Sequence, residues 1–258
     1  MSGNPVWDPE QYLRFGDERL RPALDLLARV PHPGPARVVD LGCGAGSAMP
    51  ALRARFPGAG LRGVDGSVEM LAKAQTAGFD TEQADIAAWA PVEPVDVLFS
   101  NAALHWLPAH ETLFPRLLGC LAPGGVLAAQ MPHMHAAPVR AAQDRLAADG
   151  PWAARLAGVR SAPPVMEPAA YYDLLAPRAA ALDIWTTEYL HVLRGEDPVA
   201  RWAMGSSLRP YMDALEGEPE LREGFLAAYA AEMRRAYPPQ ADGAVLLPFR
   251  RLFILARV

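Results

Sequence analysis

The sequence predicts an α/β fold, a mostly parallel sheet flanked by helices. Three observations predict it. Between residues 36 and 131, apolar segments of strand length alternate with segments of helical length, which is the pattern of βαβ units. The first of those strands runs into a glycine-rich turn and then a helix. Hydrophobic residues make up 51% of the 258, enough for a sizeable core, while charged residues make up 21%, which argues against global disorder.

Residues 9–29 carry Tyr12, Phe15, Leu20, Leu24 and Leu27 at helical spacing, and Pro31, Pro33 and Pro35 stop that helix. Ala36–Leu41 is a short apolar strand with Asp40 near its end. Glycines follow, then a helix through Arg55. Leu61–Val64 is a second strand ending at Asp65, and Val68–Ala77 a helix with Ser67 as N-cap and Glu69 in its first turn. A third strand ends at Ala84-Asp85-Ile86. Val95–Ser100 is a strand, Glu111–Leu121 a helix closed by Pro123-Gly124-Gly125, and Val126–Met131 another strand. Beyond residue 132 the pattern changes. Residues 133–180 read as helices and loops, Leu182–Leu193 as a strand, Val199–Leu215 and Glu220–Tyr237 as helices, and Phe249–Val258 as a strand returning to the sheet. Trp185 and Trp202 read as core, and Arg250 and Arg251 as solvated.

In such a sheet, binding chemistry belongs at the carboxyl ends of the strands, near the point where strand order reverses. The motif there is Val38-Val39-Asp40-Leu41-Gly42-Cys43-Gly44-Ala45-Gly46. Its glycines permit positive φ and close backbone approach to a ligand, and the following helix aims amides at it. A dinucleotide loop and a purely structural turn are competing readings. Against the dinucleotide, the third glycine comes one residue early and Ser47 takes its place. Asp40 also precedes the loop. A pyrophosphate needs bare amides there, whereas a ligand with an ammonium group welcomes a carboxylate, so D-x-G-x-G-x-G matches S-adenosylmethionine better.

The neighbouring segments fit that ligand. Asp65, followed by Gly66, is placed to accept hydrogen bonds from ribose hydroxyls. Asp85 is suited to the adenine amino group and Ile86 to the ring face. Asn101, with His105 and Trp106, follows the fourth strand on a loop facing the methyl end of the cofactor. Each has a plainer reading: a turn aspartate, a solvated loop aspartate, a structural histidine.

The formal charge is −5 and the pI about 5.7, an overall field that repels nucleic acid and anionic membrane. The opening residues are polar, with Pro5 and Pro9, unlike a signal peptide, and no apolar run reaches membrane-spanning length. Cys43 and Cys120 read as reduced thiols of a cytoplasmic protein, and no Cys/His spacing supports a metal site.

Over residues 36–131 these motifs resemble the class I methyltransferases. The resemblance implies a Rossmann-like, mostly parallel seven-stranded sheet with one antiparallel strand and a helical insertion. It also implies S-adenosyl-L-methionine as cofactor, held by Asp40, Gly42, Gly44, Gly46, Asp65, Gly66, Asp85, Ile86 and Asn101. Trp7-Asp8-Pro9-Glu10-Gln11-Tyr12, Leu104-His105-Trp106-Leu107, Gln130-Met131-Pro132, Gly150-Pro151-Trp152, Leu208-Arg209-Pro210-Tyr211 and Arg251-Leu252-Phe253-Ile254 resemble, more narrowly, the trans-aconitate 2-methyltransferase family. That resemblance implies esterification of a carboxylate on a small polycarboxylic acid. His133-Met134-His135 and Ser206-Ser207 depart from its pattern where the chain is expected to approach the acceptor. A malonyl thioester, a natural-product intermediate or non-catalytic cofactor binding are the alternatives.

The expected organisation is an N-terminal helical cap (1–35), a cofactor-binding core (36–132), a helical substrate cap with one returning strand (133–215) and a C-terminal helix with the final strand (216–258). A polycarboxylate calls for arginine. Arg209 is the first candidate, with Arg14 and Arg19 behind it, while Tyr12, His105 and Trp106 are expected to orient the acid or exclude water.

Overall fold

The computed structural model describes residues 16–159 and 165–258. In chain order these form α1 (Gly16–Ala28), β1 (Arg37–Leu41), α2 (Met49–Arg55), β2 (Gly60–Asp65), α3 (Val68–Thr76), β3 (Asp80–Gln83), β4 (Val95–Asn101), a single 3-10 turn (Leu104–Trp106), α4 (His110–Leu118) and β5 (Leu121–Pro132). Then follow α5 (Pro138–Ala148), α6 (Ala153–Leu156), α7 (Pro168–Leu175), β6 (Ala181–Leu193), α8 (Pro198–Met204), α9 (Arg209–Ala214), α10 (Pro219–Ala236) and β7 (Val245–Arg257).

The strands make one seven-stranded sheet in the order β3-β2-β1-β4-β5-β7-β6. β1 pairs in parallel with β2 and β4, β2 with β3, and β4 with β5, while β7 runs antiparallel to β5. Strand order reverses between β1 and β4, so the carboxyl ends of those two strands flank the crevice where ligands bind in open α/β sheets.

The described residues fall into two compact units. One, the sheet unit, holds residues 16–133, 165–187 and 251–258. On one face of its sheet, Val39, Leu41, Leu98, Leu127, Ala129, Met131 and Ile254 pack with Leu113, Phe114 and Leu117 of α4 and Tyr171 and Leu175 of α7. Alternation along the strands then puts Asp40, Phe99, Asn101, Ala128, Gln130 and Phe253 on the opposite face. There α1 packs against β5, and Arg29, just past its end, lies 4.3 Å over the ring of Trp185. Trp185 in turn stacks on Phe253 with ring centroids 4.8 Å apart.

The helical unit holds residues 134–159 and 188–250. Its core is aromatic: Trp152 meets Phe225 edge-on at 5.4 Å, and Trp202 packs with Phe249 at 5.0 Å. Among the described residues no helix is long and apolar enough to cross a membrane.

Several expectations are corrected. The predicted helix Val199–Leu215 is two helices, because Gly205, Ser206 and Ser207 end α8 and Pro210 suits only the first turn of the next helix. Pro123-Gly124-Gly125 does not close a helix. α4 is capped earlier, by Gly119, and the proline-glycine stretch lies inside β5, where the β4–β5 register shifts between Val95 and Val97. Arg251, expected in solvent, is buried, and only Arg250 is exposed, because neighbours on a strand face opposite ways. Trp202 is buried as expected, whereas Trp185 is only half-buried.

Candidate active site

The glycine turn after β1 is built around two aspartates. Gly42 (φ +77°), Gly44 (φ +54°) and Gly46 (φ +80°) all adopt the left-handed conformation that side chains disfavour. A Cβ on Gly42 would sit 2.1 Å from the Cβ of Ala103, in the turn after β4, and 3.7 Å from Cδ1 of Ile86. The amides of Gly42 and Cys43 both donate to the Val64 carbonyl, which ties the turn to β2. The Gly46 carbonyl accepts from Met49, and a Cβ on Gly46 would press on Ala74 of α3 at 3.2 Å.

Asp65 braces this turn. One carboxylate oxygen accepts from the Gly44 amide at 2.8 Å, the other from the Ser67 amide at 2.9 Å, spanning Gly66. Its turn role and its expected ligand role are compatible, because an ionised carboxylate has about four acceptor sites and the two amides use two. Ser67 caps α3 by accepting from Met70 at 3.3 Å, as its position predicts.

Asp40 is different. It is 2% exposed, and its Oδ2 has no hydrogen-bond partner. Burial, and secondarily the nearby Asp65 carboxylate, push its pKa from 3.8 up to about 7. A carboxylate is expensive to bury without a counter-charge, and a ligand bearing an ammonium group supplies one. The same burial, with Asp40 and Asp65 adding to it, drives the Cys43 thiol far above its ordinary range, so Cys43 is no nucleophile. Its sulfur lies 2.7 Å from where a Cβ on Gly63 would be, so it fills that space in β2.

The other expected cofactor residues follow β3 or close β4. Ile86 is half-buried beside Gly42. Asp85 is exposed and accepts from the Ala87 amide at 2.9 Å. Asn101 closes β4 with a buried Oδ1 that has no partner. Ala102 follows at φ +52°, a strained conformation for alanine, and its amide donates to the Gln130 carbonyl at 2.9 Å. His105 and Trp106 lie in the short turn beyond, with ring centroids 4.7 Å apart and Trp106 partly exposed.

The acceptor side divides differently. Arg209 belongs to the helical unit, where its Nε is 3.6 Å from the Asp213 carboxylate. Ser207 of that unit accepts from Gln143 at 2.6 Å. In the sheet unit, His133 is buried with Nε2 3.6 Å from Glu167. Tyr12 and Arg14 lie outside the described residues, and Arg19 lies in α1. Gln130 is the residue to which sequence reasoning gave no role. It is fully buried, neither end of its amide has a partner, and it pairs in register with Asn101. The available signal was an amide inside an otherwise apolar strand at the sheet centre.

Comparison with known proteins follows the same division. A methyltransferase domain family matches residues 39–129, the cofactor half of the sheet. The trans-aconitate 2-methyltransferase of Azoarcus sp. (strain BH72) is 50% identical over 256 residues, covering 98% of this chain and 99% of the relative. That of Methylobacterium nodulans is 49% identical over 254 residues, covering 97% and 98%. The solved YcgJ protein of Bacillus subtilis shares the fold at a TM-score of 0.59 and 16% identity, covering 92% of this chain and 97% of its own. The chain belongs to the trans-aconitate 2-methyltransferase family of S-adenosylmethionine-dependent methyltransferases.

Proposed function

We propose that this chain esterifies a carboxylate of trans-aconitate, or of a closely similar small polycarboxylic acid, with the methyl group of S-adenosylmethionine. The observation that carries the reading is that near-50% identity to the curated relatives runs through both compact units, well past the matched methyltransferase domain. A relationship confined to residues 39–129 would support the cofactor alone.

The residues of the glycine turn fit the cofactor. Asp40 supplies the anion for its ammonium group, and Gly42 and Gly44 present bare backbone in a left-handed turn. Asp65 has acceptor capacity left for ribose hydroxyls, and Asp85, Ile86 and Asn101 complete the set. When bound, the cofactor supplies an electrophilic methyl group on a sulfonium.

The chain's own task is then small and specific. An acceptor carboxylate is already ionised at neutral pH, so no general base is required. The protein has to hold the attacking oxygen in line with the methyl carbon and remove water from it. His105 and Trp106 are the residues for excluding water, and Arg209 for pairing with a carboxylate remote from the reacting one.

The test is transfer of tritium from labelled cofactor to a panel of di- and tricarboxylates, phenols and amines, with wild type and Arg209→Ala. A tricarboxylate accepting label in wild type, with at least tenfold loss in Arg209→Ala and unchanged affinity for S-adenosylhomocysteine, is the expected result. Label on a phenol or amine and on no acid overturns the substrate. Undiminished turnover in Arg209→Ala removes that residue from the reading.

A further inference from the structure

We propose that Gln130 binds the carboxylate that accepts the methyl group. This inference rests on the function proposed above and assigns the acceptor end of the site within the sheet unit.

Position is the first argument. Asp40, Asn101 and Gln130 come from β1, β4 and β5, three adjacent strands, and alternation puts all three on one face of the sheet. Asp40 lies level with Phe99 of β4, while Asn101 and Gln130 lie level with each other two residues further toward the carboxyl ends. The residues suited to the cofactor sit on or after β1, β2 and β3, with Asn101 at their margin. Gln130 is one strand beyond Asn101 on the far side, and two strands across and two residues along, roughly 12 Å, from Asp40. A cofactor anchored at Asp40 therefore leaves Gln130 on the side the acceptor must enter from.

The second argument is the state of the side chain. Gln130 is completely buried, yet neither Nε2 nor Oε1 has a hydrogen-bond partner. Buried amides are almost always paired, and an unpaired one costs about 1–3 kcal/mol. Gln130 does not pair with Asn101, its neighbour in register, whose own Oδ1 is also unpartnered. On the other side of Gln130 in register stands Phe253, backed by Trp185. The amide thus has a polar neighbour, an apolar wall and no partner of its own.

The third argument is chemical. An arginine on the reacting carboxylate would hold its lone pairs in a strong charge-assisted pair and blunt the attack. A neutral amide N–H orients the same group through its non-attacking oxygen while leaving the attacking oxygen free. That division assigns the remote carboxylates to cationic residues and the reacting one to Gln130.

The experiment uses the full chain with Gln130→Met, of similar volume and without polar ends, and Gln130→Asn, which keeps the amide one methylene shorter. Calorimetry measures S-adenosylhomocysteine binding first and trans-aconitate binding to the saturated complex second, and initial rates give kcat and KM. For Gln130→Met the expected result has four parts: product affinity within about twofold of wild type, trans-aconitate binding weakened ~10- to 100-fold, a matching rise in KM, and no loss of thermal stability. Gln130→Asn falls between wild type and Gln130→Met. Equal acid affinity in Gln130→Met and wild type overturns the proposal alone. So does a loss of product affinity, or unfolding of Gln130→Met, since either gives the amide another role. A wild-type complex that binds no tricarboxylate overturns the proposed function, and this inference with it.

Discussion

Gln130 and Gln143 are both completely buried, one in each compact unit, and they differ in every bond they make. Gln143 donates to Ser207 at 2.6 Å and to the Tyr229 hydroxyl at 3.4 Å, and accepts from Arg140 at 3.0 Å. Tyr229 passes the chain on to the Val139 carbonyl at 2.7 Å, and the Val139 amide donates to the Tyr237 hydroxyl at 3.2 Å. Each group there is answered by another group of the protein, so the network joins α5, α10 and the turn before α9 without need of a ligand. At the carboxyl ends of β1, β4 and β5, in contrast, Asp40, Asn101 and Gln130 all carry buried polar atoms with no partner. A satisfied buried network specifies a fold, whereas unsatisfied buried groups at the carboxyl ends of neighbouring strands leave polar atoms that a ligand could answer.

That contrast predicts that substitutions at the sheet edge change binding and that substitutions in the network change stability. The largest effect belongs to Asp40→Asn. It removes the anion proposed to face the cofactor's ammonium, so affinity for S-adenosylhomocysteine should fall ~10- to 100-fold at pH 8, by calorimetry. The free variant should at the same time be more stable than wild type at that pH, because it no longer buries a charge. A variant that binds normally would remove Asp40 from the cofactor site.

Gln143→Met should show the reverse. Ser207, Tyr229 and Arg140 would each lose a buried partner, for a stability loss of about 1–3 kcal/mol by urea titration. Product affinity should stay within twofold. An unchanged urea midpoint would mean that the network does not hold the helical unit together.

The pH dependence of binding is the remaining test. The Asp40 pKa is raised in the free protein, so its contribution to stability is fully present below about pH 4 and is lost as pH rises through about 7. The bound ammonium favours the carboxylate, so binding between those limits should release up to one proton, and affinity should climb with pH and level off above about 7. Calorimetry in buffers of different ionisation enthalpy reads this directly. The slope should be absent in Asp40→Asn.

Much of the cofactor half is legible in the residues themselves. Three glycines in five residues after an apolar strand demand a turn that side chains cannot make, and Gly42, Gly44 and Gly46 all have positive φ. The alternation of strands and helices through residue 131 leads to the parallel part of the sheet, because side-chain period and strand length are local properties. Gly119 as the true end of α4, and the split between α8 and α9, are less legible. Both hinge on which of several glycines and prolines in a row the chain uses as its break.

The order of residues dictates the chemistry on offer: an acidic residue ahead of a glycine turn, an aspartate after the second strand, an asparagine after the fourth. Which of these groups are already occupied is fixed by the folded arrangement alone. Asp65 already gives one acceptor site on each oxygen to a backbone amide, while Asp40 and Gln130 are sealed from water and carry buried polar atoms with nothing to bond to. Sequence spacing ranks residues by what they can do. Burial and pairing, which depend on strands brought together from distant parts of the chain, settle what each one still lacks.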